Sequence, residues 1–120
     1  VEVGADQREN LVKWLGNRLG YPLTAPDLGK NGFQLIGGRL VPVSGKPGAL
    51  FMYEDKTGRR VTVMVGRNET NRSTSFRIAS VGDLETFYWI DGPVGYAVTG
   101  EISRSELQTV ADETYRQFAN

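Results

Sequence analysis

The run Phe87-Tyr88-Trp89-Ile90 constrains the fold more than any other stretch of the chain. All its side chains are large and favour extended backbone. Successive side chains on a strand point to opposite faces, so this strand is apolar on both. Such a strand belongs inside a sheet or against a partner. Asp91-Gly92-Pro93 stops it, because Pro93 has no N–H for a ladder and Gly92 accepts positive φ. Tyr96-Ala97-Val98 opens a return strand. Leu84 to Glu101 therefore reads as a hairpin around which a sheet is organised.

Further strands precede it. Phe33 to Ile36 begins one, Gly37-Gly38 marks a bulge or bend, and Arg39 to Val43 continues it. Pro42 withholds a ladder donor, which places this half at a sheet edge. Ser44-Gly45-Lys46-Pro47-Gly48 is a turn. It is not a phosphate loop, since Leu40 stands where the first glycine of that motif is required. Ala49 to Glu54 is a second strand, Asp55-Lys56-Thr57-Gly58 a hairpin turn, and Arg60 to Val65 a return strand with Val61, Val63 and Val65 on one face. Asn68 to Thr74 is a polar loop. Asn68-Glu69-Thr70 and Asn71-Arg72-Ser73 have the form of glycosylation acceptors, but turn composition accounts for them. Ser75 to Ala79 alternates, with Phe76 and Ile78 inward and Arg77 outward.

A helix is predicted at each end. In Asp6 to Leu19, the residues Leu11, Trp14, Leu15 and Leu19 make an apolar stripe that buries Trp14. Asp6 is the expected N-cap with Glu9 three residues on, and Gly20 followed by Pro22 is the stop. In Ser103 to Phe118, Ser103-Arg104-Ser105-Glu106 is a capping box. Leu107, Val110, Ala111, Thr114 and Phe118 form its buried stripe, with Tyr115 at the margin. Short links between strands imply antiparallel pairing. The fold class is α+β: a single twisted antiparallel sheet of about six strands, flanked by an N-terminal and a C-terminal helix, in one domain over residues 1–120.

Charge and composition narrow the function. Lys plus Arg and Asp plus Glu each total 14, for a net charge of zero. Nucleic-acid binders draw their affinity from excess positive charge, so that class is not expected. With no His and no Cys, the chain offers no thiolate metal site and no histidine-activated nucleophile. Neither metal nor cofactor is expected. Glu54, Asp55, Asp83, Glu85 and Asp91 all sit at predicted strand ends or turns, and Lys56, Arg59 and Arg60 at a hairpin tip, where solvated turn residues are the rule. Enzymatic activity is not expected. No apolar run reaches the ~20 residues of a membrane span. The start at Val1 reads as a piece excised from something longer.

Helices on one face of a sheet leave the other face open. The strands Leu50–Tyr53 and Phe87–Ile90 carry apolar side chains in both directions. Phe51, Tyr53, Tyr88 and Ile90 are therefore the candidate interaction surface, for a protein partner or a second copy of the domain. The alternative is that the N-terminal helix crosses to that face and completes a core. A different reading makes the chain a stand-alone small-ligand domain, with Trp89, Tyr96 and Phe51 lining a pocket.

Several phrases occur together in order: Trp14-Leu15 ahead of Arg18-Leu19-Gly20, then Ala25-Pro26-Asp27-Leu28, Gly32-Phe33-Gln34-Leu35-Ile36-Gly37-Gly38-Arg39-Leu40, and Ala49-Leu50-Phe51-Met52-Tyr53. Phe87-Tyr88-Trp89 with Gly95-Tyr96-Ala97-Val98 follow. With these the chain resembles, over nearly its whole length, the extracytoplasmic C-terminal part of bacterial transmembrane anti-sigma factors, which regulate extracytoplasmic-function sigma factors. The resemblance implies a periplasmic sensory or scaffold domain tethered by an upstream membrane helix. It implies a periplasmic protein partner or self-association. Sigma binding would belong to a separate cytoplasmic domain, whose zinc-binding His and Cys motif has no counterpart in these residues.

Overall fold

The computed structural model describes residues 7–21, 23–67 and 73–119. Tight turns set its register. Ser44 and Gly45 take φ of 50° and 81°, so the first hairpin reverses in a two-residue turn suited to the strand twist. Gly92, at φ 64°, does the same ahead of Pro93. The strands they join are β1 (Gln34–Val43) and β2 (Lys46–Glu54), then β5 (Leu84–Asp91) and β6 (Val94–Gly100). The others are β3 (Arg60–Arg67) and β4 (Arg77–Val81). Helix α1 (Arg8–Leu19) precedes them and α2 (Arg104–Phe118) follows.

The six strands form one antiparallel sheet in the order β1-β2-β3-β6-β5-β4. Two three-stranded meanders, β1-β2-β3 and β4-β5-β6, thus meet through their last strands. The chain is an α+β protein, as its pattern of elements implied. The bulge expected at Gly37-Gly38 falls one position earlier: register shifts between Leu35 and Gly37, leaving Ile36 unpaired. Gly38 has another duty. A Cβ there would lie 3.0 Å from Leu11 of α1 and 3.3 Å from the Phe51 ring, so the small residue lets the helix close on the sheet. The turn read over Ser44–Gly48 is also shorter, since Lys46 already pairs with Val43.

Both helices cover the same face. Leu11, Leu15 and Leu19 of α1 are buried over β1 and β2. Leu107, Val110, Ala111 and Thr114 of α2 are buried over β5 and β6. The alternative in which α1 crosses to the far face is therefore corrected. Trp14 is corrected too. It is 37% exposed, with the Arg18 guanidinium 4.6 Å from its ring centre. The stripe that packs repeats every fourth residue through the leucines and turns Trp14 to the outside. The expected N-cap Asp6, the stop residue Pro22 and the sequence Asn68 to Arg72 lie outside the described residues. At α2, the Ser103 hydroxyl accepts from the Glu106 N–H at 3.1 Å, as a capping box requires.

The segment between α1 and β1 ties the layers together. Gln117, in the last turn of α2, accepts from the Asp27 N–H at 2.7 Å and donates to the Asp27 carbonyl at 2.8 Å. Beneath it the buried Tyr53 hydroxyl donates to the Pro26 carbonyl at 2.7 Å. Burial pushes the Tyr53 phenol above its usual pKa, against a smaller lowering by Arg8.

Candidate functional site

Cross-strand pairing decides which side chains share a face. Phe51 pairs with Val63, Val63 with Val98, and Val98 with Phe87. These residues form one row under the helices, and all are buried. Tyr53 lies in the neighbouring row with Val61 and Gly100 and is also buried. Phe51 and Tyr53 are thus core residues, and their expected place beside Tyr88 and Ile90 on an open surface is corrected. Tyr88 and Ile90 point the other way. Tyr88 is 39% exposed and Ile90 is half-buried on the face that neither helix reaches.

That helix-free face is patterned. One row runs Arg39, Leu50, Met64, Ala97, Tyr88, Arg77 from edge to edge. Leu50, Met64 and Ala97 are half-buried, whereas the terminal arginines are exposed. Neither Arg39 nor Arg77 has an ion-pair partner among the described residues. At ~4.8 Å per strand the row is about 24 Å long. The next row runs Gly37, Met52, Thr62, Thr99, Thr86, Ala79, and the Thr86 and Thr99 hydroxyls hydrogen-bond at 3.0 Å. At one end of the apolar row a groove of about 400 Å³ opens between Val43, Met64, Tyr88, Ile90 and Ala97. Its floor is low because Gly66 and Gly95 pair there without side chains. The face can therefore take apolar side chains along its middle and negative charge at both ends.

The aromatics proposed to line a ligand pocket fill space with one another instead. Trp89 is buried, its ring 5.3 Å from Tyr96 and 4.8 Å from Phe76. Tyr96 is 4.6 Å from Phe118, and Tyr115 is 5.5 Å from Phe76. This cluster is the core beneath α2, and Phe51 lies apart from it beneath α1. A second groove, about 790 Å³, runs along the outer side of α1 between Val12, Gly16, Tyr21 and Leu23. The Tyr21 hydroxyl is buried beside it and has no hydrogen-bond partner among the described residues. Burial raises the Tyr21 pKa, partly offset by Arg67.

The carboxylates singled out from the sequence do not converge. Asp55 organises its hairpin, accepting from the Thr57 and Arg59 N–H groups at 3.0 and 2.9 Å and pairing with the Arg59 guanidinium at 2.8 Å. Desolvation acts to raise its pKa, but these hydrogen bonds outweigh it and bring the value down to about 2. Glu54 pairs with Arg60 at 2.9 Å, and Glu85 meets Arg104 at 3.4 Å and the Ser80 hydroxyl. Lys56, Arg59 and Arg60 are exposed. Among the described residues, no cluster of acidic side chains is arranged to hold a metal ion.

Sequence reasoning missed Glu113. It is 8% exposed on α2, bound by Arg116, Gln117 and Lys30, the last at 3.3 Å. Hydrogen bonds from Arg116 and Gln117, aided by Lys30 and opposed by desolvation, lower its pKa to about 2. Its partners at i+3 and i+4 were legible, but not Lys30, which comes from the connector. No family model, no curated protein and no solved structure matches this chain.

Proposed function

We propose that this chain is the extracytoplasmic regulatory domain of a transmembrane anti-sigma factor, and that it acts by protein contact through the helix-free face of its sheet. The observation that carries the contact is the row from Arg39 to Arg77, apolar in its middle and cationic at both ends. Contiguous apolar surface on a small domain marks interaction sites, and arginine at the rim selects acidic partners. The assignment to anti-sigma factors is supported by the phrases Gly32 to Leu40 and Phe87 to Trp89 in their order along the chain. In this reading the domain lies in the periplasm, tethered by a membrane helix upstream. Its occupancy is passed inward to a sigma-binding domain that these residues do not include.

The test uses the complete reading frame in its host. Met64→Asp places a charge in the middle of the row while leaving the helix-covered core intact. It is expected to change transcription from sigma-dependent promoters with the far-UV circular dichroism of the isolated domain unchanged. A full-length protein that binds no sigma factor would overturn the assignment. Unaltered transcription in the Met64→Asp strain would overturn the role of the face.

A further inference from the structure

The outer edge of β4 differs from every other strand surface in the sheet. Val81 and Leu84 close a two-residue turn at Gly82-Asp83. Residues that close such a turn exchange both backbone hydrogen bonds, and pairs alternate from there between bonded and unbonded. Arg77, Ala79 and Val81 therefore turn their N–H and C=O groups to β5. Ile78 and Ser80 turn theirs outward, where the sheet has no further strand among the described residues. All of β4 is exposed. Ile78, on the helix side beside Phe87, is 47% exposed because α2 lies over β5 and β6, and Val81, on the helix-free face, is 77% exposed.

We propose that β4 is an assembly edge, pairing antiparallel with β4 of a second copy of this chain about a two-fold axis at Ala79. In that register Ile78 of each copy faces Ser80 of the other. All the outward N–H and C=O groups of these residues are then used, in two fully bonded pairs. Ala79 faces its own equivalent at an unbonded pair, where Cα atoms approach to about 4.5 Å and a small side chain is required. Arg77 faces Val81 rather than another arginine, so like charges are not opposed, and its aliphatic stem covers the most exposed apolar side chain of the strand.

The opposite edge is guarded. In β1 the same alternation, counted from the Val43–Lys46 closure, turns Pro42 outward with no N–H to offer. The bulge at Ile36 interrupts the same edge near its start. β4 carries neither device. At five residues it buries less than the roughly 800 Å² per partner of a stable dimer, so the association is concentration-dependent. This inference rests on the sheet alone, and stands or falls apart from the anti-sigma reading.

The natural chain has no cysteine, so an introduced thiol reports one position. Ala79→Cys in the intact chain is expected to oxidise to a disulfide dimer, since the unbonded pair brings Cα atoms within bridging distance. Arg39→Cys, exposed on the opposite edge, is the control. The expected ratio of dimer is about tenfold in favour of Ala79→Cys, since two Arg39 sites have no such approach. Ser80→Pro removes an outward donor that the β4–β5 ladder does not use. It should abolish the concentration-dependent dimer in sedimentation while keeping the near-ultraviolet circular dichroism. Equal cross-linking of the two cysteine variants would overturn the proposal, as would a wild-type chain that sediments as a monomer at millimolar concentration.

Discussion

The two meanders of the sheet have the same strand count and one helix each, yet they are built differently. The β1–β3 half is aliphatic. Ala49, Val61, Val63 and Val65 lie around Phe51 beneath the leucines of α1, and its edge strand runs ten residues with a proline and a bulge. The β4–β6 half is aromatic. Phe76, Phe87, Trp89, Tyr96, Tyr115 and Phe118 interlock beneath α2, and its edge strand is only five exposed residues. The first half protects its edge by sequence devices. The second spends its bulk at the centre and leaves its edge bare. The contrast separates what stabilises the domain from what is available to a partner.

Truncating the centre of each half should expose this asymmetry most strongly. Trp89→Ala removes a buried ring from three aromatic neighbours, at 4.8, 5.3 and 5.9 Å. Loss of a core aromatic costs about 3–5 kcal/mol. Each aromatic pair lost adds ~0.5–1.5 kcal/mol beyond its buried area. Phe51→Ala, in the aliphatic half, lacks those three pairs and should cost less by about 1.5–4.5 kcal/mol. Equal losses in urea unfolding would remove the distinction between the halves. Leu107→Ala should cost about 2–4 kcal/mol, since the side chain is fully buried between α2 and the sheet.

Glycines in the sheet give a finer comparison. A Cβ on Gly48, in the first half, would lie 2.7 Å from a Val43 methyl and 2.9 Å from the Val65 carbonyl. On Gly95, in the second, the nearest atom is the Gly66 carbonyl at 3.9 Å. Gly48→Ala should therefore destabilise by about 1–3 kcal/mol. Gly95→Ala should change stability by less than about 0.5 kcal/mol. Matching thermal midpoints for the two variants would show that Val43 relaxes freely.

Much of this architecture was legible in the chain, for identifiable reasons. Turn chemistry at Gly58, Gly92 and Ser103 located the strands and α2 to within a few residues, because each imposes a local backbone requirement. What joined the meanders was not local. Nothing in β3 or β6 alone says that Val63 faces Val98, and that pairing puts Phe51 on the same face as Phe87. The candidate surface was consequently half right in composition: Tyr88 and Ile90 are on the open face, whereas Phe51 and Tyr53 are not. Trp14 misled because hydrophobic spacing marks a stripe without its limits, and Arg18 one turn later gave the ring a partner outside the core. The row ending in Arg39 and Arg77 could not be read from sequence, since its members come from six strands and meet only through register.

The smallest expected effect concerns how the connector is fastened to the aromatic half. Glu113 holds Lys30, Arg116 and Gln117, and Gln117 in turn holds both backbone groups of Asp27. Its folded pKa of about 2 lies below the 4.5 of an ordinary glutamate carboxyl. A carboxylate whose pKa is lower in the folded state stabilises the fold above the unfolded value and loses that contribution as pH falls through the folded one. The loss should therefore begin near pH 5 and be complete near pH 2, the window set by those values. Asp55, at about 2, titrates over a similar range in the hairpin of the other half. Glu113→Gln keeps the shape and removes the charge. Its thermal midpoint should be lower than wild type at pH 7, and the gap should close on acidification toward pH 2. A gap that stays constant with pH would mean that the amide replaces the carboxylate in every contact. The connector would then be held by Gln117 and Tyr53 alone.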